Sequence, residues 1–404
     1  MKKLLTLLLV LAMLLTFLSC DRGNDGAGGT TDAVTTPAEI TTPTPTTPDP
    51  TPEPEPPVIL GLEKKSYPIL DCLDRVKIHG RGMEVNGGIT ADWSASGIEF
   101  TAECEDKVSV STKCSGMVLF SVFVDGILQV KPAIFYPGTN TSVIASNLSN
   151  GEHTFRLVRR HMAESGNTAL LAAFTGIELY GELKEKPADR ELLIEFVGDS
   201  ITCGYGIGDT SPADGSNTYA VQTANKLDAD YSVVAVSGIG VCMSTSRHAS
   251  KFVNMSESYD INNRYRGDTP YTPARQADVV VVNLNTNDNA QVASLADDAL
   301  LTAESEYKAA ARLLLQKIRT AHGEDVRIVW ITGMMSSPYD PAKTRADKWM
   351  KEILEELGGE SAGYYTVGMF RDTSADAGHP NETAHTQNAS RLAAFIEGTV
   401  LSGS

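Results

Sequence analysis

Apolar and polar positions follow two different patterns along the chain, and the change falls near residue 185. Before it, short runs with a period of two, such as 97–102 and 118–124, predict half-buried strands separated by tight turns. After it, runs of consecutive apolar residues, such as 192–197 and 278–284, alternate with helical periodicity, as in 303–321. The first pattern is typical of an antiparallel sandwich, and the second of a parallel sheet with helices on both faces.

The two patterns predict the fold class and the domain boundaries. We expect an all-β jelly-roll sandwich over residues 58–184, followed by an α/β three-layer sandwich over residues 185–404. At the amino terminus two lysines precede an apolar run, which predicts a signal peptide over residues 1–19. Residues 20–57 are rich in threonine and proline and predict an extended linker with almost nothing to bury.

The end of the predicted signal peptide, Phe17-Leu18-Ser19-Cys20, resembles the lipobox of bacterial lipoproteins. Phe17 stands where that motif usually has leucine. The resemblance implies lipidation of Cys20 and an extracellular protein anchored to the bacterial cell membrane. An ordinary signal peptide that happens to meet a cysteine is the alternative.

Composition excludes some classes of function. The chain has 404 residues and a net charge of −17, and it has no basic cluster, which argues against a nucleic-acid partner. The five cysteines after Cys20 form no Cys-x-x-Cys pair, which argues against zinc and against a disulfide framework. A bridge between Cys104 and Cys114 stays open. No cluster of histidine, aspartate and glutamate has ligand spacing, so we predict neither a metal nor a cofactor.

Polar residues follow several of the predicted buried strands, where ligands of parallel sheets bind. Ser200 follows the first of these strands, and a serine hydroxyl needs a base to act as a nucleophile. His379 suits that task, and Asp376, three residues earlier, is predicted to orient it. The backbone N–H groups of Ser200 and Gly238 and the side-chain amide of Asn287 are the predicted oxyanion donors.

These positions match the sequence blocks of a known family. Gly198-Asp199-Ser200-Ile201 resembles the first block of the SGNH (GDSL-like) hydrolases, whose fold is flavodoxin-like. Gly238 resembles the second block, Asn287-Asp288 the third and Asp376-x-x-His379-Pro380 the fifth. A jelly roll in front, with Gly80-Arg81 and the segment 201–206, resembles carbohydrate esterase family 2 in particular. The resemblance implies serine-dependent removal of acetyl groups from plant polysaccharides such as xylan or glucomannan, without metal or cofactor.

One position departs from the family pattern. The third block usually reads Gly-Thr-Asn-Asp, and Asn285 replaces its glycine. Asparagine tolerates a positive φ, so we expect the loop to keep its shape and Asn285 to line the substrate site with Tyr205 and Asp288. Some relatives use a Ser–His dyad, which leaves open whether Asp376 completes a triad.

Two other functions fit the same residues. One is a lipase or thioesterase acting on other small acyl esters, and the other is a non-catalytic carbohydrate-binding lipoprotein.

Trp93 and Trp330 are expected in the core, and His385 on the surface. The sequence does not fix the polysaccharide, the acetylated hydroxyl, the oligomeric state or a substrate contact by the jelly roll.

Overall fold

The computed structural model describes residues 61–85, 87–165, 168–208, 213–245, 248–336 and 339–402. The predicted signal peptide, Cys20 and the linker lie outside the described residues. No helix in the described ranges is both long and apolar enough to cross a membrane.

Residues 64–183 form an antiparallel β region. Ten strands make one sheet, whose main path runs β3-β4-β12-β5-β9-β6-β7, and β10 and β11 form a separate hairpin. The long central strands β5 and β9 alternate buried and exposed positions, and the buried side includes Phe100 and Phe155, whose rings stack. The strands are β1 Lys64–Pro68, β2 Val76–His79, β3 Glu84–Val85, β4 Gly88–Thr90, β5 Gly97–Cys114, β6 Val118–Val124, β7 Ile127–Leu128, β8 Ala133–Phe135, β9 Gly138–Arg159, β10 Glu164–Ser165, β11 Thr168–Ala169 and β12 Ala172–Leu183.

The remainder of the chain builds a parallel sheet of five strands in the order β14-β13-β15-β16-β17. Strand β13 pairs with β14 on one side and with β15 on the other, so the direction of winding changes at β13. Ligands of such sheets bind at this switch point, outside the carboxyl ends of the strands. The strands are β13 Leu193–Gly198, β14 Asp230–Ala235, β15 Val279–Asn283, β16 Arg327–Thr332 and β17 Tyr364–Gly368.

Helices cover both faces of this sheet. Buried side chains of α5 and α6 share one apolar core with Val280 and Trp330, and those of α2 and α7 share another with Phe196. Helix α7 begins after Asn381, whose side chain accepts a hydrogen bond from the backbone N–H of Ala384 at 2.9 Å. The helices are α1 Ser200–Cys203, α2 Tyr219–Lys226, α3 Met255–Ser258, α4 Thr286–Val292, α5 Asp297–His322, α6 Arg345–Glu356 and α7 Glu382–Phe395.

A buried polar network joins the β region to the α/β region. Arg81 makes two hydrogen bonds, of 3.1 and 3.3 Å, to the carboxylate of Glu195 in the middle of β13. Tyr259 donates to the same carboxylate at 2.6 Å, and His322 lies 3.3 Å from it. Burial alone would raise the pKa of Glu195, but the Arg81 charge and these hydrogen bonds hold that pKa well below its usual value. Trp93, fully buried, belongs to the core of the α/β region and extends the contact.

The five cysteines of the described residues are free, so the bridge between Cys104 and Cys114 is not formed. Four of them are buried, as expected for small apolar side chains.

Trp93 and Trp330 lie in the core as expected. The prediction for His385 is wrong, because its side chain is fully buried and accepts a hydrogen bond from the backbone N–H of Tyr219 at 3.0 Å. Burial lowers the pKa of His385 to about 3.

Candidate active site

Strand β13 delivers Ser200 to the rim of the sheet through a turn that requires glycine. A Cβ on Gly198 would lie 2.0 Å from the Thr202 hydroxyl oxygen, so no other residue fits there. Asp199 then caps α1 by accepting the backbone N–H of Ile201 at 3.0 Å. Ser200 is thereby the first residue of the helix, with 6% of its surface exposed.

His379 reaches Ser200 from the loop that precedes α7. Its Nε2 lies 2.8 Å from the Ser200 Oγ, and its Nδ1 lies 3.1 Å from the backbone carbonyl oxygen of Asp376. The loop after α1 passes close by, since a Cβ on Gly206 would lie 3.1 Å from the His379 Cβ. The structure therefore brings together two residues that are 179 positions apart.

The hydrogen bonds of His379 fix its chemistry. A carbonyl oxygen can only accept, so Nδ1 carries the proton and Nε2 is free to accept the Ser200 hydroxyl proton. Burial lowers the pKa of His379, and the nearby Asp376 offsets part of that effect. The imidazole is thus neutral at neutral pH, the form that a general base needs.

The predicted role of the Asp376 side chain is wrong in this structure. Its carboxylate accepts a hydrogen bond from the Tyr205 hydroxyl at 2.9 Å, and only its backbone carbonyl contacts the imidazole. The cause is a tight turn over residues 376–378, in which Ala377 and Gly378 have φ of +50° and +74°. The side chain and the carbonyl of Asp376 thus point to different partners, and the geometry is that of a Ser–His pair completed by a backbone oxygen.

Tyr205 lies against the histidine. The centroids of the two rings are 4.5 Å apart, with an interplanar angle of 47°. Tyr205, predicted as a substrate-binding residue, is therefore placed beside the reacting pair, where its half-buried ring forms part of the site wall.

Two of the three predicted oxyanion donors are free to act. Among the described residues, neither the backbone N–H of Ser200 nor that of Gly238 has an acceptor. The Asn287 amide is already engaged, because its Nδ2 donates to the carbonyl of Ile239 at 2.8 Å and lies 3.4 Å from the Asp199 carboxylate. An oxyanion would have to replace the longer of these two bonds.

Asn285 and Asp288 do not line the substrate site, which corrects both predictions. Asp288 is fully buried, and its carboxylate accepts the backbone N–H groups of Val241, Cys242 and Met243 at 2.8 to 3.0 Å. It therefore holds the loop that follows Gly238.

Asn285 has the positive φ expected of it, +82°, but its side chain turns away into the protein. Its amide donates to Asp347 at 2.9 Å and its oxygen accepts from the Tyr307 hydroxyl. The replacement of glycine at this position thus adds internal packing on the α5 and α6 side, with 1% of the residue exposed.

Two further residues, Thr245 and Asp199, contact the predicted site residues, although the sequence pattern assigned neither of them a role. Thr245 donates to the Asn287 oxygen at 2.6 Å and so sets which way the amide faces. Burial, together with the nearby Asp288, raises the pKa of Asp199 to about 7. The position of Asp199 directly before a helix was a signal for a capping residue, whereas nothing in the sequence marks Thr245.

Family models match both parts of the chain. The GDSL-like lipase/acylhydrolase family matches residues 196–387, and the carbohydrate esterase 2 N-terminal domain matches residues 78–183. The second part of the chain therefore resembles a GDSL-like hydrolase, and the first part resembles the N-terminal domain of carbohydrate esterase 2. The fold class predicted from the sequence is confirmed by this match and by the solved structures of similar proteins.

Two named relatives of the chain are esterases. The chain is 29% identical over 324 residues to the cellulase/esterase CelE of Acetivibrio thermocellus, covering 76% of this chain and 37% of that protein. It is 29% identical over 187 residues to the acetylxylan esterase/glucomannan deacetylase of Cellvibrio japonicus, covering 42% of this chain and 48% of that protein. The chain thus spans less than half the length of the curated relatives it matches.

Solved structures cover more of the chain. A family two carbohydrate esterase from Clostridium thermocellum, in complex with cellohexaose, has a TM-score of 0.70 and 27% identity. That likeness covers 80% of this chain and 98% of the other. An acetyl xylan esterase from Butyrivibrio proteoclasticus shares the fold, with a TM-score of 0.71 and 20% identity. This likeness covers 83% of this chain and 98% of the esterase chain.

Proposed function

We propose that the chain hydrolyses acetyl esters on plant polysaccharides through an acyl-enzyme on Ser200. The observation that carries the proposal is the 2.8 Å contact between the Ser200 Oγ and the His379 Nε2, with the histidine tautomer set by the Asp376 carbonyl. A hydroxyl, a base within hydrogen-bond reach and a group that orients the base are what acyl transfer to serine requires.

The steps follow from this geometry. His379 Nε2 takes the proton of Ser200 as the oxygen attacks the acetyl carbonyl carbon, and the oxyanion forms near the N–H groups of Ser200 and Gly238. The imidazolium then gives its proton to the departing sugar oxygen, leaving acetyl-serine. Water, deprotonated by the same Nε2, attacks the acetyl carbon. The imidazolium returns this proton to the Ser200 Oγ as the bond between that oxygen and the acetyl carbon breaks, which releases acetate and free Ser200.

The substrate class is supported by the relatives. Their names specify xylan and glucomannan, and one solved structure holds cellohexaose. In this chain the exposed side of the Ser–His pair is bordered by Tyr205, an aromatic ring of the kind that packs against sugar rings. We therefore assign acetylated plant polysaccharide, or oligosaccharides derived from it, as the substrate.

The decisive experiment compares wild type, Ser200→Ala and Ser305→Ala, an exposed serine on α5 that serves as the matched control. Acetate release is measured from acetylated xylan, acetylated glucomannan and 4-nitrophenyl acetate. Wild type and Ser305→Ala should release acetate, and Ser200→Ala should lose roughly 10⁴-fold or more in rate. Undiminished turnover by Ser200→Ala would rule out the mechanism.

Chain-length dependence separates the esterase from the lipase or thioesterase alternative. A series of 4-nitrophenyl esters of increasing acyl length should show the highest kcat/KM at acetate. A preference for long chains would favour the alternative. Binding of polysaccharide without hydrolysis of any ester would favour a non-catalytic binding protein.

The proposal includes the location of the enzyme. The lipobox-like segment 17–20 and the threonine- and proline-rich linker support an extracellular enzyme held at the cell membrane by lipid on Cys20. Expression in a bacterial host with radiolabelled palmitate should label the wild type and not Cys20→Ser. Equal labelling of the two proteins would contradict the anchor.

A further inference from the structure

A groove of about 1040 Å³ opens beside the last two strands of the parallel sheet. It runs over the carboxyl ends of β16 and β17 and is flanked by α6 and α7. Strands of a parallel sheet end at the same rim, so the groove lies on the edge that also carries Ser200. The proposed acyl transfer to Ser200 uses none of its side chains.

Two arginines in this groove are held in place but lack a charged partner. The Nε of Arg371 donates to the carbonyl of Met335 at 3.1 Å, and the Nε of Arg391 donates to the carbonyl of Gly368 at 2.5 Å. Among the described residues no carboxylate lies within ion-pair distance of either guanidinium, and their terminal nitrogens have no acceptor. Each side chain therefore presents two N–H-bearing nitrogens, a geometry that suits a carboxylate.

The other charges of the groove reinforce this preference. Lys348 and Lys351 line it from α6 and make long ion pairs with Glu352 and Glu355, at 3.8 and 3.9 Å. Asp347 is the one acidic residue among the lining side chains of the described groove, and its carboxylate already accepts from Asn285 and Asn289. Two arginines without a carboxylate partner in the described residues, and two lysines in long ion pairs, thus line the groove, and this favours an anionic ligand in a protein whose net charge is −17.

Aromatic rings give the groove a second property. Tyr339 is 94% exposed and Phe370 is 49% exposed, and the Arg391 guanidinium lies over the Phe370 ring at 5.1 Å. Exposed aromatic rings beside charged donors suit a ligand with apolar faces and an anionic group. A sugar that carries a carboxylate has both features, and an inorganic anion has only one.

The groove also connects to the reacting histidine through the chain. Asp372 follows Arg371 directly, and its carboxylate accepts the backbone N–H of Asn381 at 3.0 Å. Asn381 lies two residues after His379. The segment that forms one wall of the groove is thus hydrogen-bonded to the segment that carries the base.

We propose that this groove, defined by Tyr339, Lys348, Lys351, Phe370, Arg371 and Arg391, is a subsite for a uronic-acid residue of the polysaccharide substrate. The role of the groove as a substrate subsite rests on the proposed esterase function, whereas its ability to bind a carboxylate does not. Arg371 and Arg391 bind the uronate carboxylate, the two lysines add long-range attraction and Phe370 packs against the sugar ring.

The test separates binding from catalysis. In a Ser200→Ala background, calorimetry measures binding of a xylo-oligosaccharide with a glucuronate branch and of the same oligosaccharide without it. The branched probe should bind about tenfold or more tightly than the unbranched one, because charge-assisted hydrogen bonds are worth this much. The double substitution Arg371→Gln, Arg391→Gln should abolish the difference.

A matched control removes the same charge elsewhere. Arg190→Gln, Arg312→Gln removes one half-exposed and one exposed arginine, which pair with Asp228 and Glu356 away from the groove, and should retain the preference for the branched probe. Sodium chloride is also added to the Ser200→Ala protein whose groove is intact. It should weaken binding of the branched probe far more than binding of the unbranched probe. This measurement needs no groove variant and so holds even where Arg391→Gln unfolds the protein.

Two outcomes overturn the proposal. One is equal affinity of the Ser200→Ala protein for the two probes, and the other is a preference that survives the loss of Arg371 and Arg391. A failure of the proposed function would give a different result. The wild-type protein would then bind the branched probe but release no acetate from any ester.

Discussion

Strand β13 carries Glu195 in its middle and Ser200 just beyond its end, and the two residues have opposite surroundings. Glu195 lies in a sealed network in which Arg81, Tyr259, His322 and Ser232 all donate to one carboxylate. Ser200 has the base on one side, while its own backbone N–H has no acceptor among the described residues. One strand thus supplies both a fully satisfied buried charge and an under-satisfied reactive group.

The contrast between Glu195 and Ser200 shows how structural polar groups can be distinguished from reactive ones. A buried carboxylate with a full set of donors is fixed in its charge state and joins two parts of the fold. A site for chemistry instead keeps donors unpaired, so that the charge that develops during the reaction can use them. The Arg81 network and the Ser200 site share a strand, and only the second has unfilled hydrogen-bonding capacity.

The largest expected effect comes from breaking the sealed network. Glu195→Gln keeps the shape of the side chain but leaves the Arg81 charge buried without its partner. We expect the free energy of unfolding to fall by roughly 3–5 kcal/mol. Urea denaturation followed by circular dichroism measures the loss.

Glu178→Gln is the matched control for this prediction. Glu178 pairs with Lys64 on the surface of the β region at 2.9 Å, where solvent and salt screen the ion pair and its contribution to stability is small. If both variants lost the same small amount, the buried network would not be what holds the β and α/β regions together.

A smaller effect is expected from Asp376→Asn, which tests the other side of the comparison. The carboxylate contacts Tyr205 and not the imidazole, and the backbone carbonyl that holds His379 Nδ1 stays in the variant. We therefore expect kcat/KM for 4-nitrophenyl acetate to fall by less than about tenfold. A loss near 10⁴, the size seen when a triad carboxylate is replaced, would show that the side chain orients the base during turnover.

The fold and part of the site follow from local pattern. Consecutive apolar residues predicted the parallel strands, and strand ends predicted where polar residues gather, because both depend only on neighbours in sequence. The pairing of Arg81 with Glu195 spans 114 positions and could not be predicted, since no local pattern encodes which buried charges meet.

Side-chain direction was the main source of error within the site. Asp376 stands where the family pattern has an aspartate and Asn285 where it has a glycine, yet the side chain of each points away from its expected contact. The positive φ of Ala377 shapes the turn at Asp376, and hydrogen bonds with Asp347 and Tyr307 hold the Asn285 side chain inside the protein. Sequence pattern places a residue at a strand end, but the dihedral angles of a turn decide where its side chain points.

The smallest expected effect is a shift of the acidic limb of the pH profile, which follows from the same contacts. Burial lowers the pKa of His379 below its ordinary value of 6.5, so the imidazole stays in its neutral, basic form as the pH falls. The half-point of kcat/KM on the acid side should therefore lie below 6.5. The negative charge of Asp376 opposes this shift, so Asp376→Asn should move the half-point further towards acid. A half-point above 6.5 in the wild type, or a move towards higher pH in Asp376→Asn, would mean that the base is exposed to solvent during catalysis or is a group other than His379.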